Sequence, residues 1–304
     1  MKHVVSISLG SSTRDHRVRK ELLGEEYLIE RMGVNGNYDK FIELLREYDG
    51  KADAIGIGGI SLYLPVKDRT YVIKNAIPFM KAVSKTHFGD GTALRDTLEP
   101  NAIFKLVEKN VLNLQNKKVM IACAVDRYKL TEALVQSGCS IVCADMIFAL
   151  GIPFTVKSLK GLDRLARTLA PVVTKLPFDM LYPTGQREEN VEDPVKYARY
   201  YKDADIIAGD FNYIKRYMPD DLEGKSVITN TVTAENIQEL KKRGVSLLVT
   251  TTPELNGRSF GTNVMEAVVA AALNKPPRSI TREEYIDMAD KLSFDPRVVI
   301  LGRT

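Results

Sequence analysis

Histidine and cysteine are scarce in this chain, and their scarcity narrows its chemistry first. The 304 residues include three histidines, His3, His16 and His87, and three cysteines, Cys123, Cys139 and Cys143. No pair of them has zinc-like spacing, so no metal is expected, and the odd, clustered cysteines read as small core residues. Net charge is only +4, with the basic residues scattered, which leaves no electrostatic footprint for nucleic acid. No apolar stretch approaches the length of a membrane span. Met1-Lys2-His3 runs straight into a strand-like VVSISL, so no signal peptide is expected and the cytoplasm is the default compartment. Internal repeats and low-complexity tracts are absent. Missing too is the glycine fingerprint of a dinucleotide-binding turn, although the unit that would carry it is present.

That unit is Lys118 to Ala149. Val119 to Val125 is a continuous apolar run, which suits a strand covered on both faces. Asp126 ends the run and is placed to cap the following helix. Leu130, Ala133, Leu134 and Val135 give that helix its apolar face, and Gly138 stands where a glycine stop belongs. Ser140 to Ala144 is a second strand, ending on Asp145. The interval from Ala124 to Asp145 matches that of a dinucleotide-binding βαβ unit.

Composition is ordinary for a globular chain, 44% hydrophobic and 27% charged, and the length suffices for one large or two medium α/β domains. In the first part, strands are expected at His3–Leu9, Glu26–Gly33, Ala54–Ile60 and Thr70–Lys74. Helices are expected at Asn37–Tyr48, Pro78–Ser84 and Pro100–Lys109. Beyond Asp145 the pattern predicts helices at Leu159–Thr174 and Pro194–Tyr201, with a turn at Leu181–Gly185 and a charged segment at Arg187–Asp193 between them. Strands at Ala204–Ala208, Ser226–Thr229 and Ser246–Thr251 then alternate with helices at Phe211–Tyr217, Ala234–Arg243 and Asn263–Leu273. This is the signature of a Rossmann-like, doubly wound parallel sheet. The expected organisation is an amino-terminal α/β substrate domain over residues 1–110 and a Rossmann-like cofactor domain over 111–304. A strand order of 3-2-1-4-5-6 would set the ligand crevice at the carboxyl ends of the strands.

Three stretches carry candidate sites. Past the strand ends lie Asp126, Arg127, Asp145, Asp210, Asn230 and Thr251. Asp145 has the position and chemistry to bind a ribose diol, which would favour NAD over NADP, and it reads equally well as a turn or cap residue. Asp126 stands where a pyrophosphate would sit and repels it, and Arg127 offsets this only by turning inward. The loop Gly257-Arg258-Ser259-Phe260-Gly261-Thr262-Asn263 opens onto the start of an apolar helix. Its N–H groups, the helix dipole and Arg258 suit a carboxylate or phosphate, and the alternative is a plain helix start. Gly10 to His16 follows the first strand. There Ser11, Ser12 and Arg14 offer a clamp for a polyhydroxylated acid, with His16 or Asp15 as proton shuttle. Lys85 and Asp90-Gly91-Thr92 are weaker candidates for the same cleft. The Tyr200-Tyr201-Lys202 run reads as helix surface, because it lacks the spacing of a short-chain-dehydrogenase tyrosine.

The strings VVSISLGSSTRDHRV, VDRYKLTEAL, ADMIFALGIPF, AGDFNYIKRYMP, ITNTVTAENI and LLVTTTPELNGRSFGTNVMEA resemble a bacterial family usually labelled quinate 5-dehydrogenase. The likeness spans almost the whole chain, and GRSFGTNVMEA is its most specific part. It implies NAD- or NADP-dependent oxidation of quinate or a related hydroxy acid such as shikimate, on a substrate domain joined to a Rossmann domain. On that reading Asp145 holds ribose, the loop from Arg258 to Asn263 borders the cofactor, and Ser11, Ser12 and His16 meet the substrate. The chain departs from shikimate and quinate dehydrogenases at Ala124-Val125-Asp126-Arg127, where they carry a glycine-rich loop. Two alternatives stay open: a Rossmann-like transferase using another adenosine cofactor, and a non-catalytic small-molecule-binding protein. A homodimer is the common case for such enzymes.

Overall fold

The computed structural model describes residues 1–178, 195–255, 258–259 and 261–302, with backbone only at 254, 255, 258 and 259. The expected turn at Leu181–Gly185 and charged segment at Arg187–Asp193 lie outside the described residues, as do Gly257 and Phe260.

The architecture is a Rossmann-like α/β fold built on two mainly parallel sheets. Before residue 90 the strands are β1 (Lys2–Ser8), β2 (His16–Leu22), β3 (Glu25–Gly33), β4 (Ala54–Gly58), β5 (Tyr63–Val66), β6 (Arg69–Val72) and β7 (His87–Gly89). Five of them form a sheet of order β2-β3-β1-β4-β7, while β5 and β6 make a separate hairpin. Only β2 runs antiparallel to its neighbour. It was not expected from the sequence: Arg17, Arg19, Lys20 and Glu21 spoil its apolar alternation, as an edge strand exposed to water permits.

β1 and β4 are buried on both faces, so their residues alternate between two cores. Val4 and Ala54 face one side with Tyr27 and Ile29, and Val5, Ile7, Ile55 and Ile57 face the other with Phe41, Leu45 and Phe79. The helix Tyr38–Tyr48, capped by the Asn37 side chain, covers the second side. The first is covered from far along the chain, by the helices Thr262–Leu273 and Arg282–Lys291. Small residues in β4 allow this: a Cβ on Gly56 would stand 2.7 Å from the Asn263 carbonyl oxygen.

The second half contributes β8 (Lys118–Ile121), β9 (Ser140–Cys143), β10 (Ile206–Ala208), β11 (Ser226–Thr229), β12 (Leu247–Thr250), the short ribbon β13 (Glu254–Leu255) and β14 (Arg258–Ser259), and β15 (Arg297–Ile300). Six strands form a sheet of order β15-β12-β11-β10-β8-β9, parallel except for β15 at its edge. The expected order 3-2-1-4-5-6 is therefore replaced by 2-1-3-4-5 with one antiparallel strand added. Connection lengths alone do not choose between these windings, because both use right-handed βαβ crossovers. The reversal of direction falls between β8 and β10.

This sheet too alternates between cores. Val119, Ile121, Ile206, Ala208, Ile228 and Val249 pack under the helix Tyr128–Gln136, while Met120, Ile207, Val227 and Leu248 pack with Phe148, Tyr201 and Phe211. Tyr201 is fully buried and donates its hydroxyl to the Ile214 carbonyl at 2.6 Å, so the expectation of a surface run at Tyr200-Tyr201-Lys202 is corrected at its middle residue. The three cysteines are buried free thiols. The helix expected from Pro100 begins earlier, at Thr92, and runs to Glu108 with Pro100 inside it. Among the described residues no helix is long and apolar enough to cross a membrane.

Candidate functional site

The carboxyl ends of both sheets open into one cleft of about 220 Å³. From the first sheet it is lined by Ser8 at the end of β1, by Gly58 to Ser61 after β4 and by Asp90 after β7. From the second sheet come Asp126 and Arg127 after β8, Asp210 to Tyr213 after β10 and Asn230 to Thr233 after β11. Two elements cross between the sheets and complete the wall: Arg95 on the helix Thr92–Glu108, and Gly261 to Val264 at the start of the helix Thr262–Leu273. Parallel strands turn into loops at their carboxyl ends, so both sets of loops converge on the same space.

The β8 end is a network of charges. Arg127 is 3% exposed; its guanidinium donates to Glu99, itself buried, and to the Asp210 carboxylate at 2.9 Å. Arg95 donates through both terminal nitrogens to Asp126, at 2.9 and 3.1 Å. Arg95 and Glu99 lie one turn apart on their helix, so one helical face meets consecutive residues of the β8 loop. Asn230 Nδ2 donates to the same Asp210 oxygen at 2.8 Å, which links the β8, β10 and β11 loops. Burial pushes the Glu99 carboxyl above its ordinary range, against the pull of Arg127 and Arg95.

The opposite wall is held differently. Asp90 accepts from the N–H groups of Leu62 and Thr92, at 2.5 and 3.0 Å, fixing the loop after β4 against the start of the helix Thr92–Glu108. That helix begins at Gly91, with φ +85° and no capping side chain of its own. Its cap comes from another helix: the buried Glu266 accepts from Gly91 N at 2.9 Å and from Leu94 N at 3.0 Å. Burial raises the Glu266 carboxyl to about 7, with the nearby Asp90 charge adding to the effect. Asn263 Nδ2 donates to Ser6 Oγ at 2.8 Å and so seats the start of its own helix on β1.

Of the residues expected from sequence, Arg14, His16, Asp126, Arg127, Gly261, Thr262 and Asn263 line this cleft. Asp90, Asp210 and Asn230 line it too, and the remaining candidates are placed elsewhere. Asp15, expected as a proton shuttle, accepts from Arg31 Nη1 at 2.7 Å and Gly33 N at 2.6 Å. Ser11 caps the short turn Ser12–Arg14 and meets Thr13 Oγ1 at 2.8 Å, while Ser12 is tied to Asn35 through its N–H and its hydroxyl. These two hydroxyls therefore shape the loop that presents Arg14 and His16. Asp126, expected as a helix cap, is spent on Arg95; the residue before the helix Tyr128–Gln136 is Arg127, with no capping side chain. Thr251 is buried with its N–H on Thr229 O at 2.8 Å, away from the cleft. Lys85 and Thr92 also fall outside the lining. The Arg258 side chain lies outside what is described.

Asp145 is the main correction. It stands just past β9, where a ribose-binding acid belongs, but its carboxylate faces inward. Oδ1 accepts from Val125 N at 2.8 Å. Oδ2 is closed off from solvent without a partner among the described residues. Sequence reasoning missed Arg31, Arg95, Asn212 and the loop Gly58 to Ser61. The last was within reach, because the rule that picks out loops past the strand ends applies equally to the first sheet. Arg95 had no local signal, since only its long-range partner Asp126 brings it to the wall.

The family model described as Domain of unknown function (DUF8754) matches residues 93–301, and that described as Domain of unknown function (DUF8753) matches residues 3–90. No curated protein matches the chain. Among solved structures it is similar to GanP, a glucose-galactose binding protein from Geobacillus stearothermophilus, with 12% identity over 98% of this chain and 97% of that one and a TM-score of 0.39. It is also similar to a sugar ABC transport substrate-binding protein from Bordetella parapertussis, with 12% identity over 91% and 82% and a TM-score of 0.36. A third likeness is to the hetero-hexameric glutamate dehydrogenase from Thermus thermophilus, with 12% identity over 96% and 74% and a TM-score of 0.40.

Proposed function

This chain belongs to the family described as Domain of unknown function (DUF8754), and we propose that it binds a small hydroxy acid in the cleft between its two sheets. The observation that carries this reading is the convergence of both sets of strand-end loops on one polar space of about 220 Å³. That volume is below the roughly 300–1,000 Å³ of drug-sized pockets, so it favours a ligand of monosaccharide size. The lining divides by chemistry. Arg14, His16 and the start of the helix Thr262–Leu273, which no side chain caps among the described residues, suit a carboxylate. Asn212, Asn230 and Thr231 on the facing loops offer amides and a hydroxyl for the ligand's hydroxyl groups. The resemblance to the quinate 5-dehydrogenase label points to the same ligand class.

The test is calorimetric titration with quinate, shikimate and gluconate, and with neutral glucose and galactose for comparison. The acids bind and the neutral sugars bind at least tenfold more weakly. Arg14→Ala lowers affinity for the acids about tenfold, a loss of ~1.4 kcal/mol. Equal binding of neutral sugars removes the carboxylate from the proposal, and silence from the whole panel removes the proposal itself.

A further inference from the structure

In a dinucleotide-binding βαβ unit, the pyrophosphate rests on N–H groups where the first strand turns into its helix. The acid at the end of the second strand reaches outward to the ribose. This chain holds both parts in their places, the turn after β8 and Asp145 after β9. They are bonded to each other. The N–H of Val125, which would face a phosphate, donates instead to the Asp145 carboxylate at 2.8 Å. The neighbouring donors are also taken: Ala122 N by the Ala208 carbonyl at 2.9 Å and Arg127 N by the Cys123 carbonyl at 3.1 Å.

The side chains close the same door. Arg95 and Arg127, the cations that would neutralise a phosphate here, are paired with Asp126, Glu99 and Asp210. A pyrophosphate entering the turn would meet three carboxylates, those of Asp126, Asp145 and Asp210. Where a phosphate-binding turn carries glycine, this one carries the buried Ala122 and Ala124.

We infer that the anion site of this βαβ unit is filled by the chain's own Asp145, which latches the turn after β8, so that the protein works without a dinucleotide cofactor. Asp145 is then a positioning residue, holding the segment that presents Asp126 and Arg127 to the cleft. The nicotinamide expected from the resemblance does not fit these residues, and no hydride step is routed through it. This inference is independent of which ligand the cleft takes.

The experiment compares the wild type with Asp145→Ala at pH 8, by calorimetry with NAD, NADP and inorganic pyrophosphate and by thermal unfolding at matched ionic strength. The wild type binds none of the three. Asp145→Ala, with the Val125 N–H released and the carboxylate gone, gains saturable pyrophosphate binding and an upward Tm shift in the presence of pyrophosphate. Should Asp145→Ala not fold, Asp145→Ser carries the same test, because it removes the carboxylate and shortens the side chain away from the Val125 N–H. Saturable binding of NAD or NADP by the wild type overturns the inference, as does a folded variant that gains no pyrophosphate binding. Quinate titrated into the same wild-type sample reads the cleft separately, so loss of the hydroxy-acid reading is distinguishable from loss of this one.

Discussion

Arg127 shows how much a single buried charge depends on its partners. Deleting it leaves Glu99, 2% exposed, without the guanidinium that offsets its burial. Arg127→Ala therefore lowers unfolding stability by ~3–5 kcal/mol in urea titration, and Glu99→Gln in the same background recovers part of the loss because no orphan charge remains. A loss within experimental error would mean that the pair is solvated. Asp145 yields a pH prediction. Burial lifts its carboxyl to about 7, although the N–H groups of Val125 and Ala124 pull the other way. An acid whose folded pKa lies above its unfolded one holds its proton more tightly when folded. Its contribution is thus complete below about pH 4 and is lost as pH rises through about 7. Asp96 shares that window, because burial raises its carboxyl to about 7 against the pull of Arg95. Asp145→Asn reduces the slope of stability against pH between those limits without abolishing it; an unchanged slope would contradict the assignment.

At the scale of elements, helix ends and turns carry the testable detail. The helix Thr92–Glu108 lacks a cap of its own and takes one from Glu266 on a neighbouring helix. Glu266→Ala strands two buried donors at ~1–3 kcal/mol each. Glu266→Gln keeps an acceptor and restores part of the difference, measured by chemical denaturation. The β2–β3 hairpin turns through Leu23 and Gly24, both at positive φ, +54° and +77°. Glycine and asparagine accept this geometry, whereas leucine is strained there by roughly 1–2 kcal/mol. Leu23→Asn accordingly raises stability by ~1 kcal/mol, and a drop instead would show that the exposed leucine packs on something. The turn is readable from its Gly24; the strand before it, with charges at four of seven positions, is not.

For the molecule as a whole, the first sheet is finished by the end of the chain. Val4, Tyr27, Ile29 and Ala54 are covered by the helices Thr262–Leu273 and Arg282–Lys291. Residues 1–90 expressed alone leave that face bare, so the fragment is expected to aggregate or to lack a cooperative unfolding transition by circular dichroism. Mixing it with residues 91–304 restores the transition if the two pieces reassemble. A fragment that folds cooperatively by itself would show that the carboxyl-terminal helices are dispensable to this sheet.

Local pattern identified the α/β class, most strands and helices, the βαβ unit with its stop at Gly138, and the stretch Gly261-Thr262-Asn263 that lines the cleft. These features rest on local physics: alternation of apolar residues, helix stops, and the chemistry of a loop ahead of an apolar helix. What tertiary structure decided was the strand order, the second use of the strand-end rule on the first sheet, and the direction in which each charged side chain points. Asp145 is the clearest instance. Its position past β9 is fixed by local spacing, but whether its carboxylate reaches out to a ligand or back to the N–H of Val125 depends on a turn some twenty residues earlier in the chain.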